Sequence, residues 1–276
     1  MVATKINTNE QVYNVREDDS LSSQVAHVIC VVLQRGLLAA GFGADKGLLM
    51  LHYTGYNNNK PVWELDFFEH LFLQEPLFTD REKVKGVFVL SDKNLVIPND
   101  LYDENEAGSW LGRIHFTEPN DVILSYSLEE DNAQYIFSVP MSITELVKIN
   151  FRKAALLPLP VYYFKNANKQ GLYLQCLITG EQVCATLHNY SQLLWHRIFD
   201  YTSAEDIAFA INQLCIENHI SPSDVSLNCN TTSAAEYDVL NELSRYFPAL
   251  KDGSGGTIHA RWDTAVSLAQ QLFVCV

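Results

Sequence analysis

The run from Gly171 to His219 limits the possible folds more than any other. Leu172, Leu174, Cys176 and Ile178 alternate with Tyr173, Gln175 and Leu177, the period of a strand with one face on a core. Thr179-Gly180-Glu181 reads as a hairpin turn in which glycine supplies a positive φ. Val183, Ala185 and Leu187 then alternate with Cys184, Thr186 and His188, and Gln192 to Phe199 is a third run of apolar and aromatic residues. Thr202 and Glu205 have capping-box spacing. Behind them Ile207, Ala210, Ile211, Leu214 and Cys215 mark a helical stripe. Three strands leading into a long amphipathic helix are expected.

The same order occurs earlier, from Val25 to about Glu75. Val25 to Leu33 is an apolar run suited to a strand covered on both faces. Gln34-Arg35-Gly36 turns the chain. Leu37 to Ala44 returns with Gly41 and Gly43 inside it, where glycine marks a bulge or a close backbone approach. Leu48 to Thr54 is the third strand. Pro61 is placed to open a helix in which Leu65, Phe68 and Phe72 share a face. Strands are then expected at Val84 to Leu90 and Leu95 to Ile97. A helix from Asn99 or Asp100 toward Trp110 follows, and then a hairpin of Asp121 to Leu128 with Gln134 to Val139. Ser142 and Glu145 have the spacing of a capping box for a helix through Phe151.

Pro158 and Pro160 break the pattern between Leu156 and Lys169, and the domain boundary is placed there. The expected division is a polar N-terminal arm at 1–24, a first domain at 25–160 and a second at 161–276. After its first helix the second half continues with a strand, Asp224 to Asn228, and a capping box, Ser233 with Glu236. The helix behind that box carries Ala235, Val239, Leu240 and Leu243. The breaker Asp252-Gly253-Ser254-Gly255-Gly256 precedes a short strand, Thr257 to Ala260. A last helix at Asp263 aligns Val266, Ala269 and Phe273. Both halves thus read βββαβαβα, the first with an extra strand or hairpin.

Composition bounds what such a chain does. Its 276 residues are 47% hydrophobic and 19% charged, enough for two cores and against disorder. The formal net charge of −14 disfavours nucleic acid and anionic membranes. Arg81, Lys83 and Lys85 cluster, but Asp80 and Glu82 interleave with them. The six cysteines show no CxxC and no metal-ligand spacing. They read as small buried hydrophobes in a reducing compartment. The N-terminus is polar and unlike a signal peptide, and no apolar run reaches the roughly 20 residues needed to span a bilayer. A cytoplasmic protein without membrane insertion is expected.

The order βββαβαβα used twice resembles the actin-like ATPase architecture, with two ribonuclease-H-like domains in one chain. Two segments carry a closer likeness. One is VFVLSDKNLVIPNDL around Val87 to Leu101, and the other is Phe199-Asp200-Tyr201-Thr202 leading to Glu205-Asp206 and a long helix. They are similar to a bacterial family of domains of unknown function assigned an actin-like ATPase fold. The resemblance implies an α/β protein with phosphates held on two hairpins, one per domain. Each hairpin would begin with Asp and then Gly, so that main-chain N–H groups and a carboxylate-held magnesium meet the phosphates.

The corresponding turns here are Gln34-Arg35-Gly36 and Thr179-Gly180-Glu181, and neither has the aspartate. Arg35, Gly36, Thr179, Gly180 and Glu181 are therefore the nucleotide-binding candidates. No catalytic or metal-ligating residue is nominated. The loop Asn228 to Ser233, where a glycine-rich turn belongs, contains no glycine. Gly253 to Gly256 lacks the surroundings of a phosphate loop. Glu69-His70 and His196-Arg197 lack partners at ligand spacing, and no GxSxG occurs. Trp63, Phe67, Phe68 and Phe72 read first as core and second as a groove for a partner. The expectation is a non-catalytic interaction or assembly component with a protein partner and no cofactor. The alternative is a nucleotide-binding ATPase similar to those of pilus-assembly machinery, with divergent phosphate loops, and only there are ATP and magnesium expected.

Overall fold

The computed structural model describes residues 8–16, 20–56, 59–165, 171–190 and 192–276. The chain divides into two compact units, Met1–Leu159 with Val276, and Pro160–Cys275.

The first unit runs β1 (Thr8–Asn14), α1 (Leu21–Gln24), β2 (His27–Leu33), β3 (Gly36–Phe42), β4 (Leu48–Tyr56), α2 (Leu65–Gln74) and β5 (Val84–Val89). It continues with β6 (Asn94–Pro98), α3 (Ala107–Gly112), β7 (Asp121–Leu128), β8 (Ala133–Pro140), α4 (Met141–Asn150) and β9 (Ala155–Pro158). Its main sheet has the order β1-β4-β3-β2-β5-β9. The strands from β1 to β2 are antiparallel, and β5 and β9 continue in parallel. The central strand β2 is buried along its whole length except at His27, as a strand covered on both faces must be. Gly41 serves both uses of a strand glycine. The register slips beside it, and an added Cβ would stand 2.9 Å from Leu77 and from Val25.

The second unit runs α5 (Val161–Lys165), β10 (Leu172–Ile178), β11 (Gln182–Asn189), β12 (Gln192–Asp200), α6 (Ala204–Glu217), β13 (Ser226–Thr231), α7 (Tyr237–Leu243), β14 (Lys251–Asp252) and α8 (Asp263–Phe273). Its sheet order is β12-β11-β10-β13-β14. That is the order of the first unit without β1: three antiparallel strands, then two parallel ones. One face of this sheet is apolar. Leu174, Cys176, Ala185 and Leu227 meet Ile207 and Ile211 of α6 and Leu240 and Leu243 of α7 there.

Several local expectations are displaced, each for a physical reason. Pro61 does not open α2; Trp63 takes a left-handed φ of 57° and the helix starts at Leu65. Ser142 and Glu145 form no capping box, because α4 begins at Met141 directly behind Pro140. The box at α6 is Ser203 with Asp206, one residue beyond Thr202 and Glu205. The helix expected from Asn99 is two short turns followed by α3. The break expected between Leu156 and Lys169 narrows to a turn at Leu159-Pro160, because Pro158 is tolerated at the end of the edge strand β9 and α5 starts at Val161; residues 166–170 of that stretch lie outside the described residues. The strand expected at Thr257 to Ala260 is irregular, and β14 lies before the glycine-rich turn instead. The buried stripe of α8 is Ala265, Leu268, Ala269 and Leu272, whereas Val266 and Phe273 are half-buried. Thr8–Asn14, expected within the polar arm, ladders onto β4 as an edge strand.

Candidate functional site at the carboxyl ends of the strands

In open α/β sheets, ligands meet the carboxyl ends of adjacent parallel strands. Here those ends are β2 with β5 in one unit and β10 with β13 in the other.

In the first unit β2 ends at the two-residue turn Gln34-Arg35. The Gln34 carbonyl accepts from the Trp63 N–H at 2.9 Å and from the Tyr56 hydroxyl at 2.6 Å. The Arg35 carbonyl accepts from the Tyr56 N–H at 3.2 Å. The Gln34 side-chain amide donates to Asp92 at 2.8 Å, just past β5. Arg35 is half-buried. Gly36 lies under Tyr53, whose hydroxyl would be 3.0 Å from an added Cβ. The acceptors of this turn face into the unit.

In the second unit β10 ends at Thr179-Gly180-Glu181. Thr179 is buried. Its hydroxyl donates to the Gln182 carbonyl and accepts from the Gln182 N–H, both at 3.1 Å. The Thr179 carbonyl accepts from the Tyr201 hydroxyl at 2.6 Å. Burial, with the Glu236 and Glu181 carboxylates nearby, pushes that hydroxyl above its ordinary value. Gly180 is exposed, with nothing within 4 Å of an added Cβ. The hairpin thus brings Thr179 and Glu181 toward Tyr201 and Glu236.

β13 ends in Thr231-Thr232-Ser233, all three fully buried. The Thr231 hydroxyl donates to the Ser233 carbonyl at 3.0 Å and shares a hydrogen bond of 2.8 Å with Thr264 at the start of α8. Ser233 N–H and Oγ both donate to Glu236 Oε2, at 2.9 and 2.8 Å, and Ser233 Oγ accepts from the Ala235 N–H at 3.1 Å. This is the expected Ser233–Glu236 box, closed around one short turn ahead of α7. Burial pushes the Glu236 carboxyl up to about 7 against the pull of these hydrogen bonds.

After β14, Asp252 Oδ1 accepts from the N–H groups of Ser254 and Gly256, at 2.9 and 2.7 Å. Asn230 bridges to this loop. Its Oδ1 accepts from the Gly253 N–H at 3.2 Å, and its Nδ2 donates to Gln271 at 3.1 Å and to the Tyr162 hydroxyl at 3.3 Å. The sheet face opposite the apolar one is polar and buried, with Gln175, Thr186, His188, Asn228 and Asn230 on it. Burial lowers His188 to about 4; burial and then the neighbouring His188 lower His196 to about 3. Both rings lie beside Phe164 of α5, and both imidazoles are neutral near pH 7.

Sequence reasoning nominated the hairpins but not Tyr201, Asn230, Thr231 or Thr264. The polar run Asn228 to Ser233 behind an apolar strand was the available signal for part of this cluster. Trp63, Phe67, Phe68 and Phe72, read as core or groove, are core for the three phenylalanines, which are buried in ring contacts. Glu69 and His70 are exposed on α2.

Two sheets of one strand order in a single chain define the actin-like ATPase fold. A solved protein of Bacteroides thetaiotaomicron VPI-5482, described as having that fold and unknown function, matches with a TM-score of 0.73 at 14% identity, over 95% of this chain and 100% of the other. The chain belongs to the family described as Protein of unknown function (DUF3822), which matches residues 43–250. A second solved structure, a PilM-PilN type IV pilus biogenesis complex, matches with a TM-score of 0.58 at 11% identity, over 91% of this chain and 98% of the other. No curated protein matches the chain.

Proposed function

We propose that this protein is a non-catalytic interaction or assembly component of the bacterial cytoplasm, on an actin-like ATPase fold whose ligand-facing loops have turned inward. The observation that supports this reading is the junction of β13 and α7. A helix N-terminus there would offer N–H groups to an anion. Here Glu236, 3% exposed, takes the Ser233 N–H and hydroxyl, so those donors are not offered to a phosphate. The hairpins argue the same way. Neither carries an aspartate, and Thr179 spends its hydroxyl on Gln182. These residues fit a magnesium-bound polyphosphate poorly.

Two further observations agree. The solved PilM-PilN structure is a protein of this fold in a complex with a second protein. The six cysteines are free thiols, which suits a reducing compartment. Among the described residues no helix is long and apolar enough to cross a membrane.

The second reading is a nucleotide-binding ATPase using Arg35, Gly36, Thr179, Gly180 and Glu181. The exposed Gly180 favours it, because a phosphate could approach the main chain there. Thermal unfolding with millimolar ATP and magnesium separates the two. The proposal expects no shift. A ligand at a hundredfold over its Kd stabilises by about 2.7 kcal/mol, so a clear rise in Tm, with hydrolysis abolished by Glu181→Ala, overturns it.

A further inference from the structure

β7, β8 and β6 form a separate three-stranded sheet, order β6-β8-β7, within the first unit. Ile97 and Ile136 of this sheet pack on Ala107 and Leu111 of α3, with Ile123 of β7 against them. β7 is its long edge. Its eight residues, DVILSYSL, span roughly 26 Å at about 3.3 Å per residue. Among the described residues no strand pairs with its outer side.

Natural edge strands are blunted by lysine, proline, bulges or shortness. The other edges follow that rule. β6 and β9 are short and end in Pro98 and Pro158, β14 has two residues, β12 presents an exposed Arg197 and β1 an exposed Glu10. β7 has none of these past its first residue. Asp121 is neutralised by Lys93 at 3.0 Å. The ladder to β8 runs without a register shift.

The charge around β7 says what kind of chain fits it. Residues 94–140 contain nine acidic side chains and one basic one, Arg113, a net −8 out of the chain's −14. Glu118 precedes the strand, and Glu129 and Glu130 follow it in the turn to β8, all three exposed. Phe116 and Ile114, just upstream, are 77% and 61% exposed. Pairing two copies of this edge would bring two such acidic segments together, and the like charges oppose it.

We propose that β7 is a docking edge for an extended, basic and apolar-alternating segment of a partner protein, which adds to the sheet as a fourth strand. Main-chain hydrogen bonds supply the register, and the carboxylates at both ends of β7 select lysine or arginine. The inference rests on the interaction-component reading and gives that partner its chemistry.

The test uses the full chain and fluorescence anisotropy with three labelled eight-residue peptides: alternating Lys-Val, alternating Glu-Val, and Lys-Val N-methylated at every residue, so that neither edge of the peptide can donate. The Lys-Val peptide is expected to bind at least about tenfold tighter than the other two, and more weakly as salt is raised. E129Q/E130Q is expected to weaken it severalfold. Equal binding of the methylated peptide removes strand addition, and equal binding of the Glu-Val peptide removes the charge selection. The methylated peptide is read on the natural chain, so folding of the variant does not decide the result. Sedimentation showing dimers that S125K disperses, with no peptide binding, would make the occupant a second copy and overturn the proposal. Nucleotide binding is measured separately, so loss of this edge leaves the non-catalytic reading standing, and an active ATPase that still binds the peptide sinks only that reading.

Discussion

Glu236 is a carboxyl enclosed at the junction of β13 and α7, 3% exposed. Its folded value near 7, against an ordinary 4.5, comes first from burial, so the folded state holds this proton more tightly than the unfolded one. The stabilising protonated form is fully present below about 4.5. Stability falls as pH rises from there and is lost through about 7, on the order of 3 kcal/mol in all. Glu236→Gln stays neutral and keeps an oxygen for Ser233. Its Tm relative to the natural chain should therefore climb between pH 4.5 and 8, as followed by circular dichroism. A constant difference across that range contradicts the assignment. His188 and His196 carry lowered values and slope the other way, gaining stability as pH rises toward 6.5, but they are common to both proteins and cancel.

At the scale of elements, the loop between β14 and α8 closes over Asn230, in addition to its own hydrogen bonds to Asp252. Any Cβ at Gly253 would fall inside the Asn230 amide, which serves Gly253, Gln271 and Tyr162 at once. Gly253→Ala must expel that side chain and strand buried hydrogen-bonding groups. It should cost about 2–4 kcal/mol, measured by urea unfolding. Gly180→Ala, in open space, should cost well under about 1 kcal/mol. Equal effects would refute the account of the loop. Gly253 read as a flexible breaker in the sequence because composition reveals a turn and not what closes over it. The capping boxes teach a related lesson. Ser233 with Glu236 was legible, whereas α6 chose Ser203 with Asp206 over Thr202 with Glu205. Neighbouring polar residues offer the same chemistry one register apart, and burial of Ala204, Ile207 and Ala208 decides between them.

At the scale of the molecule, each unit spends its cysteines as packing. Cys30, Cys176, Cys184, Cys215 and Cys229 are buried and Cys275 is half-buried, all as free thiols. Burial pushes Cys30 and Cys184 well above the usual thiol range, so few thiolates exist at neutral pH. A thiol reagent should label at most one cysteine quickly in the native protein and all six after denaturation. Fast labelling of three or more would mean that one of the cores is not closed.

Alternating and helical periodicities, with the turns between them, were enough to read a βββαβαβα order twice, because burial of one face imposes its period on the residues themselves. They also placed both hairpins and the β7–β8 pair. What stayed hidden was decided by contacts between distant residues: the Thr231–Thr264 pair at the end of β13, the Tyr201 hydroxyl on the Thr179 carbonyl, the burial that raises Glu236, and the outer side of β7, unpaired among the described residues. A strand's sequence records which of its faces is dry, but its edges are made of main chain, which is the same for every residue, so only the folded sheet reveals which edge is left open.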